Sequence, residues 1–147
     1  MYQAVIFDLD GTLLNTLEDL RDGVNHALRL QGYQERRIEE VRRFVGNGIW
    51  KLIERAVPEG VEEEKREAVF QEFRSYYTSH CRVKTRPYEG IIELLQLLKQ
   101  KKVAMAIVSN KNDAAVKKLA KYYFSDFIDV AIGEREGIRK KPAPDSV

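Results

Sequence analysis

The sequence predicts an α/β fold built on a parallel sheet and interrupted by a long helical insert. Three observations carry that expectation. An apolar run, Val5-Ile6-Phe7, reads as a buried strand and ends on Asp8-Leu9-Asp10-Gly11. A second apolar run, Val103 to Val108, and a third, Phe127 to Ile132, are separated by a helical stretch, and another helical stretch precedes Val103. A helix between consecutive strands is the crossover that parallel pairing requires. Between Asn15 and Arg82, by contrast, no convincing strand is legible.

Taken in order, Thr16 suits an N-cap with Asp19 three residues on, and Leu17, Leu20, Val24, Ala27 and Leu28 recur at helical spacing until Gly32. His26 on that helix reads as a surface or half-buried residue. Ile38 to Phe44 is a short basic helix, broken by Gly46-Asn47-Gly48. Ile49 to Val57 is another, stopped by Pro58-Glu59-Gly60, with Trp50, Leu52 and Ile53 in a helical core. Val61 to about Cys81 carries Val69, Phe70, Phe73, Tyr76 and Tyr77 as a packing stripe. Pro87 to Gly90 marks a boundary. Ile91, Leu94, Leu95 and Leu98 then define an amphipathic helix ending at Lys99 to Lys102, where cations are favoured. Ala114 to Tyr122 or Tyr123 is a helix with Ala115, Leu119 and Tyr122 inward. Lys140 to Asp145 contains two prolines and reads as irregular. The expected division is 1–14 with 83–147 as the α/β core, and 15–82 as the insert.

Composition narrows the function classes. The chain has 147 residues, 33% of them charged, a net charge of +2 and a pI near 8.6. That balance argues against nucleic acid and leaves room for a small anion. The lone Cys81 cannot form an internal disulfide and suits a reducing compartment. Asp8 arrives too early for a signal peptide, and no apolar run approaches the ~20 residues of a membrane helix. A cytoplasmic protein with no membrane partner is expected. The oligomeric state is not readable.

The chemistry lies at the strand ends. Asp8 and Asp10, at a spacing of two, would project to one face of an extended segment, and Gly11 lets the chain turn away. An Asp-Gly pair alone is a common turn. At the end of an apolar run, however, two carboxylates need solvent, a partner or a metal. Ser109 and Asn110 follow the second strand, and Lys141 lies in the loop after the third. Carboxylates, a hydroxyl with backbone amides and a lysine are together what phosphoryl transfer needs. One carboxylate attacks phosphorus and another moves a proton, while donors and cations stabilise the equatorial oxygens. A carboxylate attacking a phosphate also needs its charge offset, which implies Mg²⁺.

The pattern Phe7-Asp8-Leu9-Asp10-Gly11-Thr12-Leu13-Leu14, with Ile107-Val108-Ser109-Asn110 and Lys141-Pro142-Ala143-Pro144-Asp145 after it, resembles the motifs of the haloacid dehalogenase superfamily. The resemblance implies a Rossmann-like core with helices on both faces and an α-helical cap. It makes Asp8 the nucleophile, Asp10 the general acid/base, Ser109 the phosphate-holding hydroxyl and Lys141 the third-motif lysine. Asp8 and Asp10 would be the magnesium ligands, and Leu9, Gly11, Thr12 and Asn110 substrate contacts. Within the insert, Arg43 to Gly48 and Leu52 to Ala56 resemble the cap of phosphoglycolate phosphatases, so Gly46, Asn47 and Gly48 are expected to help choose the substrate. The implied activity is a Mg²⁺-dependent phosphatase acting through an aspartyl-phosphate on a small phosphorylated metabolite, with 2-phosphoglycolate first. A pyrophosphatase, a sugar-phosphate phosphatase or a phosphomutase of the same superfamily remains open. So does a noncatalytic fragment that binds a phosphate ligand or a partner. The family's fourth motif, an acidic pair after a further strand, is not found before Val147. The chain is therefore expected to be truncated, with the Asp8 strand at a sheet edge.

Overall fold

The computed structural model describes residues 2–147, so Met1, the first residue of the expected core, lies outside the described residues. The chain divides into two compact units. One comprises the segment up to Asn15 together with Arg86–Val147, and the other comprises Thr16–Thr85.

The first unit is α/β. Strand β1 (Ala4–Phe7) pairs in parallel with β4 (Ala104–Asn112), and β4 pairs in parallel with β5 (Val130–Glu134), in the order β1-β4-β5. The pairing runs Ala4↔Ala104 to Phe7↔Ile107 on one side of β4 and Ala106↔Val130 to Val108↔Ile132 on the other. The central strand buries Met105, Ile107 and Val108. Helix α5 (Ile91–Gln100) precedes β4, and α6 (Asp113–Phe124) links β4 to β5. A two-residue antiparallel pair, β2 (Leu14–Asn15) with β3 (Arg86–Pro87), brackets the chain's excursion into the second unit.

Several expectations need correction. Strand β1 is not buried: Ile6 is 50% exposed and Ala4 is exposed, because a strand with one neighbour is covered poorly. Strand β4 runs on to Asn112, four residues past Val108. The last strand begins at Val130, since the amides of Phe127 and Ile128 are taken by the Phe124 carbonyl at the end of α6. Tyr122 points outward and is 61% exposed. The buried face of α6 is Val116, Leu119, Ala120 and Phe124, and a residue two positions past Ala120 lies about 200° round the helix. Helix α5 buries only Leu95, and Leu94 is exposed, because a three-stranded sheet offers it little apolar face. The proline-rich end forms one 3₁₀ turn, Pro144–Ser146, with proline at its start, where a missing N–H costs nothing.

The second unit is all helical: α1 (Leu17–Leu30), α2 (Ile38–Phe44), α3 (Ile49–Ala56) and α4 (Glu63–His80). Its core holds Leu20, Val24, Ala27 and Leu28 from α1, Val41 from α2, Leu52 and Ile53 from α3, and Val69, Phe73 and Tyr77 from α4. These recur at three- and four-residue spacing, the apolar stripe of a packed helix. Half-buried His26 stacks on Tyr76 with 4.1 Å between ring centroids. No helix among the described residues is long and apolar enough to cross a membrane.

The start of α1 departs from the expected capping box. Thr16 makes no side-chain cap, and the Asp19 carboxylate is committed elsewhere. Asp19 is 3% exposed and accepts the Lys84 amide at 2.9 Å, the Thr85 amide at 2.8 Å and the Thr85 hydroxyl at 2.7 Å. The first turn of α1 is thereby tied to the last residues of the unit, 66 positions away in sequence. Replacing Asp19 by Ala strands these donors, at about 1–3 kcal/mol for each buried group left unsatisfied. We expect Asp19→Ala to lower the unfolding midpoint of the helical unit in urea followed by circular dichroism, and Asp19→Asn, which keeps one acceptor, to lower it less.

Candidate active site

The site is assembled at the carboxyl end of the sheet of the α/β unit, where parallel sheets of this kind bind ligands. Beyond Phe7 the chain leaves β1 carrying Asp8 and Asp10, with fully buried Leu9 between them. The Leu9 carbonyl accepts the amides of Thr12, Leu13 and Leu14, and Gly11 occupies φ +78°, where a side chain would be strained. The turn is compact and holds both carboxylates at its mouth.

Each carboxylate meets its own lysine. Asp8 Oδ1 accepts the Leu9 amide at 2.8 Å and lies 3.1 Å from Lys141 Nζ. Asp10 Oδ1 lies 2.8 Å from Lys111 Nζ. Lys141 also donates from Nζ to the Val108 carbonyl at 2.7 Å. Its backbone is clamped by Asn110, which accepts the Lys141 amide at 2.8 Å and donates to the Lys141 carbonyl at 3.2 Å. Asn110 thus holds the loop that delivers Lys141, whose peptide bond to Pro142 is cis.

Ser109, Asn110 and Lys111 sit in an irregular stretch of β4. The register passes from Val108↔Ile132 to Asn112↔Glu134, so four steps on β4 match two on β5 and two residues are extra. Bulges of this kind re-aim side chains. Here Ser109 is buried and its hydroxyl accepts the Lys111 amide at 3.1 Å. The following Asn112 caps α6 by accepting the amides of Ala114 and Ala115. Gly133 on β5 makes room for the bulge: a Cβ there would lie 2.4 Å from the Lys111 carbonyl oxygen and 2.6 Å from Asp113 Cα. The Gly133 amide donates to Asp113 Oδ1 at 2.8 Å. Burial alone would push the Asp113 carboxyl up, but the Gly133 amide, Lys117 and the charge of Arg135 together hold it below the usual carboxylate range.

Asp8, Asp10, Ser109, Asn110 and Lys141 therefore come together in one unit. Thr12 is exposed on the turn after Asp10, and Leu9 offers the site only its backbone, its side chain being wholly buried. Gly46, Asn47 and Gly48 belong to the helical unit, where Asn47 Oδ1 accepts from Arg55 at 3.0 Å and the Phe44 carbonyl accepts from Arg55 at 2.8 Å. A separate cleft of that unit is lined by Arg21, Arg29, Arg36 and Arg37, of which Arg21 pairs with Asp22, Arg29 with Glu35, and Arg36 and Arg37 share Glu40. Lys111 was missed in the sequence. No local signal marks it: beside Asn112 and Asp113 it reads as part of a solvent-facing helix start, and the bulge that turns it inward is a feature of the pairing with β5. Among the described residues no three His, Cys, Asp or Glu side chains converge as a metal cluster. The Asp8 carboxylate and the backbone carbonyl of Asp10 are the adjacent hard oxygen ligands on offer, and magnesium is commonly held by one or two carboxylates with water completing its shell.

The chain belongs to the haloacid dehalogenase-like hydrolase family, whose model matches residues 5–147. It is 33% identical over 147 residues to a phosphoglycolate phosphatase of Neisseria meningitidis, covering 97% of this chain and 63% of that protein. It is 32% identical over 146 residues to a phosphoglycolate phosphatase of Aquifex aeolicus, covering 99% of this chain and 67% of that protein. The chain thus spans about two thirds of the length of these curated relatives. A crystal structure of a candidate phosphoglycolate phosphatase from Lactobacillus delbrueckii subsp. bulgaricus superposes with a TM-score of 0.91 at 35% identity, over 99% of this chain and 70% of that one.

Gly133→Ala tests the packing behind the site. Forcing a methyl group against the Lys111 carbonyl should cost about 1–3 kcal/mol, the range for overpacking. We expect a lower Tm by calorimetry. The stability contributed by Asp113, whose carboxyl is held low, is present above the ordinary carboxylate pKa and disappears as pH falls through its folded value. The gap between the variant and the parent should accordingly narrow in acid.

Proposed function

We propose that this chain provides the catalytic carboxylates of a Mg²⁺-dependent phosphomonoesterase that works through an aspartyl-phosphate, with 2-phosphoglycolate as substrate. The observation that carries the reading is the pair of carboxylates at one strand end, each within ion-pair distance of a different lysine, at 3.1 and 2.8 Å. The similarity to phosphoglycolate phosphatases supports the choice of substrate.

In this reading Asp8 attacks phosphorus. A bond forms between its carboxylate oxygen and phosphorus, and the bond from phosphorus to the ester oxygen breaks. Asp10 gives its proton to the departing alkoxide. Asp10, now ionised, then takes a proton from water, whose oxygen attacks phosphorus and displaces Asp8, releasing phosphate. Lys141 neutralises charge beside Asp8 as the anionic substrate approaches, and the Ser109 hydroxyl and the turn amides near Gly11 bind phosphoryl oxygens. Asp8 and Asp10 would hold the magnesium ion, which supplies charge offset for the phosphoryl group.

Asp8→Asn should abolish phosphate release from 2-phosphoglycolate while leaving the circular dichroism spectrum unchanged, and Asp10→Asn should lower kcat about 10²–10⁴-fold. Near-normal turnover by the Asp8 variant would remove the nucleophile from the reading.

The Gly46-Asn47-Gly48 turn is proposed to help select the substrate. Asn47 is exposed and braced by Arg55, so its loss should cost little stability. Asn47→Ala is expected to change the ratio of kcat/KM between 2-phosphoglycolate and other small phosphoesters with little change in Tm. Uniform losses that follow a falling Tm would leave it a plain helix–helix turn.

A further inference from the structure

Lys111 has no place in the reaction as written, yet its position is unusual. A lysine side chain ordinarily keeps its ammonium in water. This one is only 4% exposed, and its Nζ lies 2.8 Å from Asp10 Oδ1. The backbone that carries it is fixed on both sides. The Lys111 amide is bound by the buried Ser109 hydroxyl, and its carbonyl is packed where Gly133 alone leaves room. Neighbouring Asn110 clamps the Lys141 loop by two hydrogen bonds. Consecutive residues of one bulge therefore serve the two carboxylates separately. Asn110 places the lysine that meets Asp8, and Lys111 meets Asp10 directly.

We propose that Lys111 is a positioning residue for Asp10: its ammonium, anchored through the β4 bulge, holds the Asp10 carboxyl where a leaving-group oxygen can take its proton. The inference rests on the phosphatase reading. Asp10 itself is 27% exposed on a turn, and the 2.8 Å contact with the buried ammonium favours the rotamer that turns its Oδ1 toward β4. A proton donor displaced by even an ångström loses much of its effect, and the loss falls on the step that needs the proton.

That step can be isolated by the choice of leaving group. 2-Phosphoglycolate expels an alkoxide and needs a proton, whereas 4-nitrophenyl phosphate expels a stable phenolate and does not. On the full-length protein, Lys111→Met should lower kcat/KM for 2-phosphoglycolate at least about tenfold more than for 4-nitrophenyl phosphate, within the range that acid catalysis contributes. Using kcat/KM confines the reading to steps up to transfer of the phosphoryl group. The ratio between substrates is unaffected by any fraction of unfolded protein. Lys111→Gln keeps an N–H donor one atom short of Asp10 and should recover part of the difference. In an Asp10→Asn background, Lys111→Met should produce no further difference between the esters. Equal losses on both esters would overturn the proposal. The ¹³C resonance of the Asp10 side-chain carboxyl, read at one pH, gives a measure that needs no turnover: Lys111→Met should displace it. A wild-type protein inactive on both esters would end the phosphatase reading, and that resonance would then decide alone, with a displaced signal keeping the positioning role and an unmoved one ending it.

Discussion

Two carboxylates two residues apart at the end of one strand are the constraint to which the α/β unit is fitted. Asp8 and Asp10 repel each other, and they stand beside a strand whose neighbours are apolar. Asp8 keeps about half of its side chain in water and Asp10 about a quarter, so the group whose charge most needs a partner is the Lys111 ammonium, only 4% exposed. The structure answers with two cations from distant segments, Lys111 from β4 and Lys141 from the loop after β5. Neither is local in sequence: the first pairing spans 101 residues. The tertiary fold must therefore be formed before the site exists, and the parallel pairing of β1 with β4 is what brings the ends of these strands side by side.

The bulge in β4 follows from that demand. A regular strand would carry Lys111 past the sheet in step with β5. The extra residues turn it inward and leave Asn110 facing the Lys141 loop. Ordering a lysine side chain costs about 2 kcal/mol of rotamer entropy, and burying its ammonium adds to this. The Asp10 contact offsets both only while the bulge keeps its shape. Gly133 is part of the same arrangement, because the bulged backbone fills the volume that any side chain on β5 would need. Stability and site geometry are in this way the same property of one short stretch.

Much of this was legible in the chain. The apolar runs located β1 and β4, and helical periodicity located all of the long helices. The residues brought together at the sheet's end include Asp8, Asp10, Ser109, Asn110 and Lys141, each placed from its position after a strand. What was not legible depends on long-range packing. The spacing of Ala115, Leu119 and Tyr122 points Tyr122 inward, but the buried face of α6 is set by Val116, Leu119, Ala120 and Phe124 and leaves it outside. Asp19 looked like a local capping residue, and its carboxylate instead binds Lys84 and Thr85. Strand β1 looked buried because it is apolar, yet burial depends on how many neighbours a strand has, and sequence periodicity does not count them. Lys111 escaped for a related reason. A lysine beside an Asn-Asp helix start reads as solvent-facing, and only the bulge, which local sequence does not announce, turns it inward.

The charges of the cluster bear on the proposed cofactor. Asp8 contributes one negative charge and Lys111 and Lys141 two positive ones, while Asp10 must carry a proton to act as the acid, so the four side chains enter the reaction with a net charge of +1. A phosphate monoester arrives as a dianion. Binding it to this set leaves net negative charge in a partly enclosed site, where it is costly. Shifting Lys141 toward the phosphate does not help, since it leaves the Asp8 carboxylate uncompensated. A divalent cation offsets that negative charge with the Asp8–Lys141 pair kept. That arithmetic, rather than any cluster of three acidic ligands, is why magnesium belongs to the proposed reading. It also explains why Lys141 serves Asp8 rather than standing free to bind the substrate on its own.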